Sequence, residues 1–426
     1  MGLKKFQIVF DNPWSTYYSG QPVTGRVLLT VDSPKKIRAI SLHFKGEAAV
    51  QWSETETKTK SVPASPASTE KEGTEGGTAA SSVGGTTLQN VTVNYSSHES
   101  YFENKFNLLG GSSGEIELPA GELSYPFTTH LPPNLPSSFE GEHGHIRYTV
   151  KAVLDRPWKF DQEAKTAFTV VSPLDLNTHP TAKDPVKKES SKHFGFCCWK
   201  SGPLSLTLGL PVGGYVPGQD IPITVDLLTF TVTNPHKSTK KDNIVIGELV
   251  LGSVEAHGNN SWTELLKIPP LPPSNLNNCS IIDLDYDLKV KAKAGKWRRD
   301  LQITTPIILG TIPLQFYQPP VAPQEKPASE INGGTDNPPA PEAGEPAGVW
   351  NMPQNDPNIQ PQGMPNAPPE GQQPPIQSLY PNLPQPTYSE SVFGPKSIKD
   401  AGDNQYTHGD MEYAPMYPVF NFENKA

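Results

Sequence analysis

The chain has 426 residues, a formal net charge of −9 and 47 prolines. Its hydrophobic content of 35 % falls below the ~45 % of a compact globular protein, so a folded part is diluted by a part too polar to build a core. No run approaches the ~18 apolar residues of a membrane span. Three cysteines cannot make a disulfide framework and fit a reducing, cytosolic setting, and the acidic balance gives nucleic acid no basic footprint.

The N-terminus, MGLKKFQIVFDNPW, lacks the apolar run and cleavage site of a signal peptide. Gly2 is not a myristoylation site, because Phe6 stands where Ser or Thr is wanted. The first half then alternates as half-buried strands do. Val27, Leu29 and Val31 fall on one face, as do Ile40, Leu42 and Phe44, and again Ile146, Tyr148, Val150, Ala152 and Leu154. Turn residues punctuate these runs, and no helical period persists. The pattern predicts an all-β chain of antiparallel sandwich type. Residues 53 to about 95, rich in Ser, Thr and Gly, read as a flexible insert.

The chain also repeats itself. Tyr18-Ser-Gly-Gln-Pro-Val is echoed by Tyr215-Val-Pro-Gly-Gln-Asp-Ile, Leu131-Pro-Pro by Leu271-Pro-Pro, and Val150-Lys-Ala by Val290-Lys-Ala. The last two pairs share one offset in the same order, which predicts a duplicated sandwich. Domain limits follow: a first sandwich over 1–172, a polar linker over 173–198, a second sandwich over 199–317, and a tail over 318–426. The tail holds 22 of the 47 prolines, a composition that predicts disorder.

Three stretches resemble a known family. NLPSSFEGEHGHIRYTVKAVLDRPW (Asn134 to Trp158) is similar to the N-terminal arrestin domain of the α-arrestins, the arrestin-domain-containing proteins. FCCWKSGPLSLTLGLPVGGYVPGQDI (Phe196 to Ile221) and ITTPIILGTIPL (Ile303 to Leu314) resemble the start and the last strand of their C-terminal domain. The resemblance implies two tandem immunoglobulin-like arrestin β-sandwich domains followed by a disordered Pro-rich tail. It also implies an adaptor, not an enzyme: a protein at plasma membrane and endosomes that links receptor or transporter cargo to WW-domain HECT-type ubiquitin ligases.

Candidate sites follow from these expectations. WW domains bind extended proline segments and seat a tyrosine beyond them. Two degenerate forms of Pro-Pro-x-Tyr occur: Pro384, Pro386 and Tyr388, with Gln385 in place of the first proline, and Pro415 with Tyr417, with Ala414 there. Two sites on one ligase offset weak single contacts. Tyr380 with Leu383 also fits sorting signals read by clathrin adaptor or ESCRT-associated proteins, the basis of an alternative reading as a ligase-independent scaffold. Lys289, Lys291, Lys293, Lys296, Arg298 and Arg299 form a basic run suited to acidic lipids or an acidic cargo tail. Cys197 and Cys198 are candidates for S-acylation. No catalytic signature, metal-ligand spacing or cofactor motif is present.

Overall fold

A computed structural model describes residues 3–61, 86–111, 114–196, 199–223, 227–232, 243–251, 262–292, 300–315, 317 and 383–422. Among them every regular element is a strand. The first unit begins with β1 (Leu3–Phe10), β2 (Thr16–Tyr18), β3 (Pro22–Val31), β4 (Lys35–Ile37) and β5 (Ala39–Ser61). It continues with β6 (Thr86–Gly110), β7 (Ile116–Leu118), β8 (Gly121–His130), β9 (Phe139–Glu140), β10 (Gly144–Asp155) and β11 (Gln162–Val171). One sheet has the order β1-β3-β8; the facing sheet runs β2-β11-β10-β5-β6. The alternating positions read from sequence point between them: Val27, Ile40, Leu42, Phe44, Ile146, Tyr148, Val150 and Ala152 are all fully buried. Rings of Phe10, Tyr17, Phe44, Phe127 and Phe168 meet edge-on in the centre.

Residues 53–95 correct the expectation of a loop along most of their described length. β5 and β6 stay paired from Ser53↔Asn94 out to Ser61↔Thr86. Thr55 faces Thr92, Val91 and Val93 flank that pair on β6, and Trp52 stacks on Tyr95 at 5.2 Å, so β-branched and aromatic side chains extend the ribbon beyond the core. Residues 62–85 lie outside the described set.

The second unit starts earlier than expected. β12 (Val186–Phe196) pairs antiparallel with β13 (Trp199–Leu210), so the linker is 173–185 rather than 173–198. Its Lys and Ser side chains disguise a strand whose support comes from the buried Leu208 and Leu210 opposite. There follow β14 (Gly214–Tyr215), β15 (Asp220–Ile223), β16 (Leu227–Val232), β17 (Asn243–Val245), β18 (Glu264–Lys267), β19 (Leu284–Ala292) and β20 (Leu301–Leu309). The main sheet has the order β14-β20-β19-β16-β17.

The internal repeat is a repeat of structure. β2 lies parallel to the end of β11, as β14 lies parallel to the end of β20. Each is followed by the same turn. Gly20 and Gly218 have φ of 83° and 90°. The Gln21 side chain accepts from Tyr18 N at 2.9 Å, and the Gln219 side chain from Val216 N at 2.8 Å. Each unit also has a tyrosine corner: Tyr148 OH donates to Pro136 O at 2.7 Å and Tyr286 OH to Pro272 O at 2.8 Å. The units are joined where Leu174 N donates to Thr311 Oγ1 at 2.7 Å and Leu176 N to Ile312 O at 3.2 Å.

The expectation of a disordered tail is narrowed by residues 383–422, which fold back on both units. β21 (Thr387–Glu390) pairs with β25 (Met416–Val419), and β22 (Lys396–Ser397) with β24 (Glu412–Tyr413). Between β22 and β24 the chain sends out β23 (Thr407–Gly409), which adds to β11 in parallel.

Candidate functional site

The docked tail and the surface beneath it form the most connected polar site described. Lys165 sits on β11 with only 2 % of its surface exposed. Its Nζ donates to Ile398 O at 2.9 Å, to Asp400 Oδ2 at 2.6 Å and to Asp403 Oδ2 at 2.9 Å. Lys151, its neighbour on β10, reaches Asp403 Oδ1 at 2.8 Å and Glu163 Oε2 at 3.3 Å. A buried ammonium is stable only when its protons are matched, and here both charge partners of Lys165 come from a segment more than 230 residues away. Burial works to raise the carboxyls of Asp400 and Asp403, but hydrogen bonds from the two lysines and from backbone outweigh it and hold both below the ordinary range. Burial likewise opposes the charge on Lys151, and Asp403 and Glu163 overcome it and raise that group.

Around this pair the backbone is anchored. Gly409 has a φ of 128° and lies against the Lys165 backbone, an approach that leaves no room for a Cβ. Further along, Met416 N donates to Thr169 Oγ1 at 3.0 Å, Tyr417 OH to Ser138 O at 2.7 Å, and Phe420 N to Pro217 O at 2.9 Å. Ser138 belongs to the first unit and Pro217 to the second, so the tail bridges them. Tyr417 is fully buried and Phe420 is 1 % exposed. Burial pushes the Tyr417 phenol far up, so it stays a hydrogen-bond donor at any physiological pH.

These facts relocate the predicted ring ligands. Tyr417 and Pro415 are buried against the sandwiches, so in this state neither is open to a WW groove. Pro384 is exposed, Pro386 and Tyr388 are half-buried, and the Tyr388 ring lies 6.2 Å from that of Trp14. Leu383 packs on Tyr18, Val171 and Ile312; its partner in the sorting-type motif, Tyr380, lies outside the described residues, as do Cys197, Cys198, Lys293, Lys296, Arg298 and Arg299. Lys289 and Lys291 lie on β19 in mid-sheet, and Lys291 is 3.0 Å from Asp300. The structure therefore brings the two tyrosine motifs together, through β21 and β25. Sequence reasoning missed Lys151, Lys165, Asp400 and Asp403. Distance along the chain hides that set; the available signal was the density of apolar residues from Met411 to Phe422.

A second polar feature adjoins the first. A cavity of about 410 Å³ lies between β5, β6, β10 and the 399–402 loop, lined by Lys45, Glu47, His98, His145, Arg147 and Lys399. Arg147 grips the buried Glu140 through two bonds of 2.7 and 2.8 Å. His145 is driven down to about 4 by burial first and then by the Arg147 charge. Among the described residues there is no group of three or more His, Cys, Asp or Glu able to hold a metal, and no helix long and apolar enough to cross a membrane.

Two β units that repeat one turn and one tyrosine corner, hydrogen-bonded at their junction and strapped by a returning tail, define an arrestin-type scaffold. Comparison with known proteins agrees: residues 6–177 match the arrestin (or S-antigen) N-terminal domain and residues 226–314 the C-terminal domain. The chain is 29 % identical to arrestin domain-containing protein 17 of Caenorhabditis elegans over 98 % of its length and 99 % of that protein. It is 31 % identical to human arrestin domain-containing protein 4 over 74 % of its length and 73 % of that protein, and 32 % identical to mouse arrestin domain-containing protein 1 over 56 % and 55 %. The chain belongs to the arrestin-domain-containing family, the α-arrestins.

Proposed function

We propose that this arrestin-like adaptor links membrane-protein cargo to a WW-domain ubiquitin ligase of HECT type, and so promotes cargo ubiquitination, endocytosis and endosomal sorting. It would work in the cytoplasm and peripherally at plasma membrane and endosomes. The observation that carries the reading is the tail itself, where two Pro/Tyr motifs are paired strand to strand and held on the sandwich surface. A segment kept only as a spacer has no use for a fully buried tyrosine, whereas a ligand that must be presented on demand gains from a stored position. No covalent chemistry is assigned to the chain.

The test titrates full-length protein against isolated WW domains, beside a Tyr388→Ala, Tyr417→Ala double variant. Binding by the first and loss by the second is expected. Equal binding by both transfers the tail to the ligase-independent reading, in which it bridges cargo to clathrin adaptor or ESCRT-associated proteins.

A further inference from the structure

Among the described residues, the turn between β10 and β11 carries the most exposed large apolar side chain. Trp158 is 99 % exposed and Phe160, two residues on, is 70 % exposed. The turn Arg156-Pro-Trp-Lys159 closes with Lys159 N on Arg156 O. Proline stands second and Trp158 third, at a φ of 58°. That position belongs to glycine or asparagine, and a bulky side chain there is strained. Strain of this kind persists only where the surroundings enforce it, and it collects at functional positions. The surroundings do enforce it: Arg156 N donates to Asp161 Oδ1 at 3.3 Å, and Arg156 Nε donates to Phe160 O at 3.0 Å. Phe160 in turn stacks on Tyr406 of the docked tail at 5.5 Å. The result is a tightly bonded tip with Trp158 open to solvent, Phe160 mostly exposed against Tyr406, and two cations, Arg156 and Lys159, beside them.

We propose that this tip is a membrane-contact element that inserts Trp158 and Phe160 into the headgroup layer of an anionic bilayer. A protruding tip fills no groove on a protein without a matching pocket, but it suits an interface that yields around it. Tryptophan prefers that layer because its ring is apolar with a polar edge. Arg156 and Lys159 meet the negative surface potential of an acidic leaflet. One such tip gives a weak and reversible contact. It orients the sandwiches and adds to cargo binding by raising local concentration. The surface is distinct from the β19 lysines and independent of the ligase reading.

The experiment uses full-length protein with vesicles of phosphatidylcholine, with and without phosphatidylserine, and with brominated acyl chains that quench nearby tryptophan. Trp158→Gly is the informative variant, because glycine relaxes the positive φ and the variant folds at least as well. Brominated, serine-containing vesicles should quench the wild type and not the variant, and vesicle affinity should fall about fivefold. Lys159→Glu should weaken binding to the acidic vesicles alone, in a salt-dependent way. Equal quenching of wild type and Trp158→Gly overturns the proposal. So does a wild type that binds neither vesicle, or a variant that binds vesicles normally but loses WW-domain binding in their absence.

Discussion

Lys165 and Tyr417 decide whether the tail stays down. Lys165 is buried beneath the tail, and its anionic partners lie on the tail, so release of the tail breaks both ion pairs at once. Breaking one partner of a buried pair costs about 3 kcal/mol or more; Asp400 is partly exposed, so Asp403 carries the greater share. Lys165→Met should therefore weaken docking by about 3 kcal/mol, read as faster amide hydrogen exchange over 398–413 in the intact protein. Combining it with Asp403→Asn should recover part of the loss. Unchanged exchange would place the holding force elsewhere. The charges also set a pH window. Asp400 and Asp403 are depressed in the docked state, so their contribution is full above the free carboxylate value of about 4 and is lost as pH falls through the docked values. Lys151 is raised, so its contribution is full below about 10.5 and is lost as pH rises through the docked value. Docking held by these groups should not vary between pH 5 and 8, on the order of the window set by their ordinary values.

At the scale of elements, the duplicated turn offers an internal control. Gly20 and Gly218 share a positive φ, but a Cβ on Gly20 makes only an ordinary contact with Pro133 while one on Gly218 collides with the carbonyl of Phe420. Gly20→Ala should cost about 1 kcal/mol from backbone strain alone. Gly218→Ala should cost more and should also free residues 416–420, seen as new sites of limited proteolysis in that segment only. Strand β10 carries a second test. His145 is neutral in the folded state down to about 4, against roughly 6.5 when unfolded. The unfolded chain binds the extra proton between those values, so stability falls as pH drops through them, by about 1 kcal/mol between pH 6.5 and 5.5. Lys45, Glu47, His98, Arg147 and Lys399 line the same cavity, and His145→Gln should flatten the melting-temperature profile over that range if His145 dominates it. These elements also show how far the sequence could be read. The period-two runs located the core strands of the first sandwich, since a half-buried strand must alternate. The Gly-Gln echo after Tyr18 and Tyr215 and the paired Leu-Pro-Pro showed the duplication because the same turn and corner are built twice. The β5–β6 ribbon and β12 were missed, since their polar faces look like loop composition when the opposite strand is not in view. The site of Lys165 was beyond reach, because nothing local marks a lysine whose partners lie more than 230 residues on.

For the whole molecule, the decisive quantity is the population of the undocked tail. A motif buried in the major state binds a partner with its intrinsic affinity reduced by the fraction of molecules in which it is free. If docking contributes about 3 kcal/mol, the apparent affinity of the Tyr413-to-Tyr417 motif falls about a hundredfold. The free energy is shared between two surfaces, because Tyr417 holds Ser138 of the first sandwich and Phe420 holds Pro217 of the second; anything that shifts one sandwich against the other weakens the strap. A peptide spanning residues 409–422 has no surface to dock on and should bind an isolated WW domain about a hundredfold more tightly than the full-length chain does. Lys165→Met, which leaves the motif untouched, should close most of that gap, while Tyr417→Ala should abolish binding by the peptide and leave the full-length chain only the contribution of its Tyr388 motif. Isothermal titration of the three proteins and the peptide against one WW domain measures all of these together. Equal affinity of peptide and full-length protein would mean that the buried state is too sparsely populated to govern access, and cargo binding would then have no tail to release.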